Sequence, residues 1–390
     1  MKKTLTDGIQ KYSMIIVLAL VTLFFTMQTG GKILSAQNIT NLIAQNAYVF
    51  VLAAGMLLCI LTGGNIDLSV GSVACFVGAV GATFMARGLN MWLAIVAMLL
   101  LGIIIGAWQG AWIAYLRVPP FIVTLAGMLI FRGLSNVVLE GRTVPVNDQL
   151  FVQIFGGGAN CYVPDFIGGG SDINILAIAV GTIACIAFVV YQFYNRGTRI
   201  KKGYEVPPIL TTVTQTTLIA AAVLFLTYKL SQYKGIPTAL IWVAVIVIIY
   251  GYITSKTTSG RYFYAVGGNE KAAKLSGINT NKVYFLAYAN MGLLSALAGM
   301  LTIARMTSAQ PTYGQNYEMD AIGACFIGGA SAYGGTGTVT GVIVGATLMG
   351  VINLGMSIMG VDANWQKVVK GLVLLAAVIF DIVSKRNKES

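Results

Sequence analysis

Continuous apolar segments recur along almost the whole of this chain, and they constrain its fold more than any other feature. Twelve can be recognised, two of them short for a full crossing of a membrane: 14–27, 42–62, 70–86, 91–116, 122–139, 173–194, 217–230, 236–253, 283–303, 319–329, 339–359 and 368–383. A helix of roughly 20 apolar residues crosses the hydrocarbon core of a bilayer. Because these segments are continuous rather than alternating, they predict helices and not the strands of a membrane barrel.

The composition agrees with a polytopic membrane protein. Of its 390 residues, 57% are hydrophobic and 10% are charged, whereas a soluble protein has about 25% charged residues. We therefore predict an all-α integral membrane protein with about 10–12 transmembrane or re-entrant helices in two related halves. A single transmembrane domain would cover residues 1–390.

Lysine and arginine are unevenly shared between the two sides of the predicted membrane. Counted from an N-terminus placed inside, the inside loops receive Arg117, Arg196, Arg199, Lys201, Lys202, Lys256, Arg261, Lys271, Lys274, Lys282, Lys385, Arg386 and Lys388, and the outside loops receive Lys32, Arg87, Arg142, Lys229, Lys234, Arg305 and Lys367. The positive-inside rule then predicts that both termini are cytoplasmic. The same rule accounts for the net charge of +12, so no nucleic acid partner is predicted.

The longest outside loop, 141–172, contains Asp148, Asp165, Asp172 and two glycine triplets. It suits a lid or a landing surface for an extracytoplasmic protein, and a plain connector is the alternative.

The sequence argues against an enzyme. It contains no histidine, its five cysteines are scattered singly, and no Ser–base or metal-ligand constellation is present. We predict no disulfide, no metal site and no cofactor. A phosphate-binding Gly-x-x-x-x-Gly-Lys-Ser/Thr loop is also absent, so ATP would have to be bound by a partner subunit.

The polar stretch Arg261–Ile278 lies between two long apolar segments. Asn269 is placed to cap a short helix, with Glu270 in the first turn where the helix dipole favours a negative charge. Gly277 is placed to end that helix in a left-handed conformation. The pattern predicts either a docking helix for a soluble partner or an ordinary basic connector held inside by its charge.

Acidic residues mark two further places, because charge at membrane depth is costly and usually functional. Asp67 lies in Gly63–Ser72, and Glu318 and Asp320 open a short segment that ends at Gly328-Gly329. Glycine-interrupted apolar pairs in both halves point to a translocation site. The candidate pathway residues are Asn65, Asp67, Ser69, Glu318 and Asp320. The alternative is that these acids cap helices and that the glycines permit close helix packing.

Four stretches resemble one family in the order in which that family carries them. They are Gly63–Ser72, Val118–Met128, the segment Gly267–Ile278, and Glu318–Gly323 followed by Gly328-Gly329. Together they resemble the permease subunits of sugar ABC importers of the ribose, xylose and multiple-monosaccharide kind. Pro119 is a departure, since the family usually carries Ser there. The polar region near 196–237 resembles the longer, xylose-type members.

The resemblance implies a mechanism. The loop would be the cytoplasmic coupling loop that contacts a separate ATPase, through Gly267, Gly268, Asn269, Glu270, Ala272, Ala273, Ser276 and Gly277. A second permease copy would complete a homodimer in the bacterial inner membrane, and a periplasmic or lipid-anchored binding protein would deliver a pentose or hexose. An ion-coupled secondary sugar transporter is the alternative, since it would need no docking helix.

Overall fold

The computed structural model describes residues 2–156, 161–168 and 173–389, and within these ranges the chain is almost entirely helical. The helices are α1 (Lys2–Gln28), α2 (Ala36–Leu61), α3 (Val70–Ala86), α4 (Met91–Ala114), α5 (Pro120–Leu139), α6 (Gln149–Ile154), α7 (Ile175–Lys201), α8 (Ile209–Ser231), α9 (Thr238–Lys256), α10 (Thr258–Gly268), α11 (Glu270–Leu275), α12 (Thr280–Met306), α13 (Tyr317–Ile327), α14 (Val339–Ile358) and α15 (Ala363–Glu389). Two-residue strands, β1 (Val144–Pro145) and β2 (Ser308–Ala309), pair antiparallel.

Each predicted apolar segment lies within a helix apart from a residue or two at its ends, which confirms the all-α membrane prediction. Some helices are longer than predicted, since α1 begins at Lys2 and α8 at Ile209. In the described part of the chain, 8 helices are long and apolar enough to cross a bilayer. The segment at α3 is shorter, at 17 residues, and α13 has only 11. Asp172 and parts of both glycine triplets lie outside the described residues.

The chain forms two compact units. One comprises residues 34–41 and 162–238 and contains α7 and α8, which pack against each other. Contact between them is close at Gly181, where an added Cβ would lie 2.4 Å from the Thr227 methyl carbon. Small residues at helix contacts are the usual means of close packing in membranes.

Asp165 organises the start of α7 within this unit. Its carboxylate accepts hydrogen bonds from the backbone N–H groups of Ile167, Gly168, Ile175 and Leu176. Desolvation acts to raise the pKa of Asp165, but these four donors outweigh it and lower the pKa below its usual value. Asp165 therefore has a structural role in the loop that the sequence interpreted as a lid, a landing surface or a plain connector.

The other, larger unit comprises residues 1–33, 42–161 and 239–390 and contains most of the described helices. Its closest helix pair is α4 and α12, whose backbones touch along a row of glycines. A Cβ added at Gly102 would lie 2.5 Å from the carbonyl oxygen of Gly292. One added at Gly106 would lie 2.4 Å from the carbonyl oxygen of Tyr288. The spacing of four residues puts Gly102 and Gly106 on one helix face, so the row acts as a groove for α12.

We predict that Gly106→Ala destabilises the protein while Gly133→Ala does not. Alanine at 106 would drive its methyl group into the α12 backbone, at a cost of about 1–3 kcal/mol. Gly133 in α5 has nothing within 4 Å of an added Cβ. There alanine gains about 0.5–1 kcal/mol of helix propensity. Thermal unfolding of the purified variants in detergent measures both, and equal midpoints would contradict the close α4–α12 contact.

Candidate functional site

The segment from Asn269 to Gly277 has the local structure that the sequence predicted. The side chain of Asn269 accepts the N–H of Ala272 at 3.0 Å and caps α11. Gly277 has a φ of +84°, and the N–H of Ile278 donates to the Ala273 carbonyl, which closes the helix end. Ser276 returns its hydroxyl to the Ala272 carbonyl. The result is a short helix with both ends satisfied by its own residues.

Glu270 fixes this helix to the neighbouring helices. Its carboxylate lies 2.7 Å from a guanidinium nitrogen of Arg117, in the α4–α5 connection, and accepts a 3.2 Å hydrogen bond from the Tyr284 hydroxyl. Arg117 also donates to Thr280 and Asn281 at the start of α12. Ion pairs as exposed as this one contribute at most about 1 kcal/mol, so its effect is mainly on orientation.

The protonation of Glu270 follows from the same contacts. Partial burial acts to raise its pKa, but the hydrogen bond and charge of Arg117 outweigh it, so the pKa of Glu270 lies below its usual 4.5. A lowered carboxylate pKa adds stability that is fully present above the unfolded value and is lost as the pH falls through the folded one. The ion pair between Glu270 and Arg117 is therefore intact at neutral pH.

The outward face of α11 carries an apolar side chain among lysines. Leu275 is 90% exposed, and Lys271, Ala272 and Lys274 are exposed beside it, whereas Ala273 is buried. An exposed leucine at the end of a rigid, capped helix is a suitable anchor for a pocket on another protein.

The end of α10 brings the helix close to the two interrupted helix pairs. An added Cβ at Gly267 would lie 1.7 Å from the Leu61 carbonyl oxygen, at the end of α2. The same carbonyl accepts the N–H of Gly335 at 3.0 Å. Gly268, by contrast, is exposed and has nothing within 4 Å of an added Cβ. Gly267 therefore serves internal contact, while Gly268 lies on the surface.

The two glycine-rich interruptions also contact each other. An added Cβ at Gly64 would lie 1.9 Å from the Ala332 carbonyl oxygen, and one at Gly334 would lie 2.4 Å from the Cα of Gly63. The break between α2 and α3 and the break between α13 and α14 therefore meet beside the end of α10. The sequence predicted both breaks but gave no indication that they touch.

Asp67 and Ser69 form a buried polar pair in the first break, and Asn65 lies there half-buried without a hydrogen bond to either among the described contacts. Asp67 accepts the N–H and the hydroxyl of Ser69 at 2.8 and 2.7 Å, and Gln109 of α4 donates to Ser69 at 2.9 Å. Asn65 donates to the Thr62 carbonyl. Helix α3 begins at Val70, and its N-cap residue is Ser69, with no side-chain cap among the described residues. Asp67 thus holds the turn before the helix and does not cap α3, contrary to the alternative drawn from the sequence. Its place in a pathway stays a prediction.

Glu318 and Asp320 lie in the first turn of α13 but contact different partners. Glu318 is buried beside α3, with a carboxylate oxygen 2.8 Å from where a Cβ at Gly71 would lie. Asp320 is 1% exposed, pairs with Lys370 of α15 at 2.9 Å and accepts the Tyr48 hydroxyl at 2.6 Å. Asp320 is thus half of an ion pair rather than a helix cap, and the five predicted pathway residues form separate groups.

Sequence reasoning missed two basic residues that lie inside predicted apolar segments. Arg132 of α5 donates to the carbonyls of Pro311 and Tyr313, and Lys370 pairs with Asp320. A signal was present, because each basic residue lies inside an apolar segment, where charge is expensive. The prediction considered only acids as informative and so omitted their partners.

We predict that Lys370→Met destabilises the protein by about 3–5 kcal/mol, because it leaves the Asp320 carboxylate buried without its cation. The double variant Asp320→Asn with Lys370→Met should cost clearly less than the sum of the two single variants. Lys367→Met is the matched control, since Lys367 lies exposed on the same helix. Thermal unfolding midpoints of the wild type, both single variants and the double variant in detergent complete this double-mutant cycle. If the effects of the two single variants add up to that of the double variant, the pair is not coupled.

Comparison with known proteins agrees with the resemblance seen in the sequence. A family model described as a branched-chain amino acid transport system / permease component matches residues 38–160 and 171–378. The chain is 40% identical over 389 residues to a xylose transport system permease protein XylH of Haemophilus influenzae, covering 99% of this chain and 100% of that protein.

Two further relatives also match over almost the whole chain. One is the XylH protein of Escherichia coli K12, 38% identical over 381 residues, with 97% of this chain and 93% of the relative covered. The other is the ribose import permease protein RbsC of the same strain, 33% identical over 373 residues, with 95% and 93% covered. No solved structure matches. The chain therefore belongs to this permease family, and it is a multi-pass membrane transport component rather than an enzyme.

Proposed function

We propose that this chain is the membrane permease subunit of an ATP-driven importer of a monosaccharide, with xylose as the first substrate to test. The observation that carries the proposal is similarity over almost the whole chain to permeases named for xylose and ribose transport. The family description mentions branched-chain amino acids, but these relatives are all named for sugars. The substrate is accordingly a neutral pentose or hexose.

Three partners follow from the proposal. A separate ATPase subunit binds ATP and docks on α11 through Leu275 and the capped loop, including Asn269 and Gly277. A periplasmic or lipid-anchored binding protein delivers the sugar, and a second permease copy completes a homodimer in the bacterial inner membrane. The capped helix with its exposed leucine supports the first partner, because a secondary transporter has no use for such a surface.

The contacts of α10 and α11 supply a route for force. Glu270 and Arg117 connect α11 to the start of α12 and the α4–α5 connection. Gly267 connects α10 to the end of α2 and to the break before α14. Movement of the docked ATPase would therefore reach both interrupted helix pairs, where the proposed pathway residues Asn65, Asp67, Ser69, Glu318 and Asp320 lie.

Within the larger unit, the helix ends that the lysine and arginine count placed inside contact one another. The end of α2, the α4–α5 connection, α10, α11 and the 330–338 segment contact one another. Asp381 of α15 joins them by accepting the N–H of Ala332 at 3.2 Å. This grouping supports a cytoplasmic location for the loop and for the C-terminal end.

We predict that a cysteine placed at Lys271 reacts with a membrane-impermeant thiol reagent only after cells are opened, whereas one at Phe166 reacts in intact cells. Phe166 is 79% exposed and spares the neighbouring Asp165, whose carboxylate holds the loop. The native cysteines are all buried, so wild-type protein gives the background. Reaction at position 271 in intact cells would reverse the orientation.

We predict that Leu275→Glu abolishes ATP-driven xylose uptake by proteoliposomes that contain permease, ATPase and binding protein, while Lys274→Glu reduces it less. Both variants introduce a glutamate on the exposed face of α11, but only Leu275→Glu removes the exposed leucine. Losing a buried leucine contact weakens docking by about 2 kcal/mol. Uptake and ATP hydrolysis are measured together, with copurification of the ATPase as the binding readout.

The outcome for the wild-type protein decides the proposal itself. ATP-dependent uptake that needs all three components supports it. If purified permease alone moves xylose down an ion gradient, the importer proposal fails and the secondary transporter replaces it.

A further inference from the structure

The α7–α8 hairpin, in the unit of residues 34–41 and 162–238, is the part of the chain that other residues cover least. In the most apolar stretch of each helix, 17% of the residues of α7 and 6% of those of α8 are buried. The corresponding share is 83% in α2 and 78% in α12. Apolar helices of a membrane protein that are this open pack against acyl chains. The surface of the hairpin is therefore open to lipid along most of its length.

Four cations follow the apolar part of α7 at one end of the hairpin. They are Arg196, Arg199, Lys201 and Lys202. Arg196 lies about 32 Å along the helix from Ile175, where α7 begins, because an α-helix rises 1.5 Å per residue. The hydrocarbon core of a bilayer is about 30 Å thick. The cations therefore begin where the hydrocarbon core ends, at the depth of the phospholipid headgroups.

The two arginines hold the connection between α7 and α8 in one arrangement. The guanidinium of Arg196 donates to the Pro207 carbonyl at 2.5 Å and to the Thr212 hydroxyl at 2.9 Å. That of Arg199 donates to the backbone carbonyl of Glu205 at 3.3 Å. A guanidinium has five N–H donors, so each arginine retains donors for a further acceptor. The connection is thus fixed while its positive charge stays available.

The positive charge at this end has little internal compensation. Glu205 is the only acidic residue in the stretch 196–210. Among the residues that the structure describes, neither of the two ion pairs involves any of the four cations. Lys201 and Lys202 are both exposed. Four cations against one carboxylate, at headgroup depth, are complementary to an anionic headgroup.

Large apolar and aromatic side chains surround these cations. Tyr194 and Tyr204 are 74% and 60% exposed, and Ile200 is 54% exposed. Tyrosine is enriched at the level of the headgroups, where its ring contacts acyl chains and its hydroxyl contacts water. A free phosphate ion would leave these side chains in water, whereas a phospholipid supplies a phosphodiester and an acyl chain together. The combination therefore favours a lipid over a soluble anion.

We infer that residues 194–205, at this end of the α7–α8 hairpin, form a binding site for an anionic phospholipid of the cytoplasmic leaflet. The cations contact the phosphodiester, and the tyrosines and Ile200 lie beside the acyl chains. Each lysine or arginine near an anionic membrane surface raises the affinity about fivefold. A zwitterionic phospholipid carries an ammonium group next to its phosphate and is bound more weakly. The inference goes beyond the proposed function and does not depend on which molecule is carried.

The test uses full-length permease purified in detergent. Tyr204→Cys allows a fluorophore to be attached within the site, since the native cysteines are all buried. Quenching is followed during titration with nitroxide-labelled phosphatidylglycerol, which is anionic, or with nitroxide-labelled phosphatidylethanolamine, which is zwitterionic. The expected result is half-quenching by phosphatidylglycerol at a concentration at least 25-fold lower, roughly fivefold for each of the two exposed lysines.

Two pairs of substitutions in this labelled background locate the charge that matters. Lys201→Gln with Lys202→Gln should raise the phosphatidylglycerol concentration for half-quenching about 25-fold, with little change for phosphatidylethanolamine. Lys229→Gln with Lys234→Gln is the matched control, because it removes the same charge at the other end of the hairpin. The control should leave both titrations unchanged.

Three results would overturn the inference. One is equal quenching by the two lipids in the labelled parent, which needs no lysine variant to fold. Another is an equal effect of the two lysine pairs, which would show a general effect of net charge. The third is release of phosphatidylglycerol by millimolar inorganic phosphate at constant ionic strength, which would show a site for a free anion. Since no ATP, sugar or partner is present, each of these results leaves the proposed function untouched.

Discussion

One backbone carbonyl, that of Leu61, is the point at which three segments of the larger unit meet. It ends α2, where the last carbonyls of a helix have no partner within the helix. The N–H of Gly335 satisfies it, and Gly267 of α10 lies so close that a side chain there would collide with it. Water at membrane depth is scarce, so an interrupted helix is tolerated only where such partners exist. Three segments distant in sequence are therefore held at one point.

Two ion pairs of the larger unit differ in burial. The Asp320–Lys370 pair lies in the interior and receives a further hydrogen bond from Tyr48, while the Glu270–Arg117 pair is half-exposed beside the loop. A buried pair of this kind adds little net stability over a well-packed apolar pair, but separating its members is expensive. It therefore specifies where the short helix α13 sits against α15 and α2. The exposed pair can break and re-form at low cost, which suits the proposed docking of an ATPase on this segment.

The sequence predicted the helices well and their contacts poorly, for a physical reason. Apolar length, the Asn269 cap and the Gly277 end are local properties, so α11 and every long apolar helix could be placed from the chain alone. The partner of Asp320 lies 50 residues away, and only the fold brings it near. The same holds for Gly64 against Ala332 and for Asn353, whose amide donates to Asn46. Within the candidate site, local geometry was predictable and the grouping of residues was not.

Helix α12 connects the proposed docking segment to the opposite end of the larger unit. Its first two turns meet Glu270 and Arg117 through Tyr284 and Thr280, and its last turns line a cavity of about 340 Å³ near Arg305. The glycine row of α4 holds it along much of its length, because Gly102 and Gly106 leave no gap between the backbones. Packed interiors transmit displacement rather than absorb it. A shift of the coupling loop is therefore expected to move α4 and α12 as one body, and with them one wall of the cavity. The helices α2, α13 and α14, which form the other walls, contact α10 through the glycine breaks. A displacement at the proposed docking segment is therefore expected to reach both sides of the cavity.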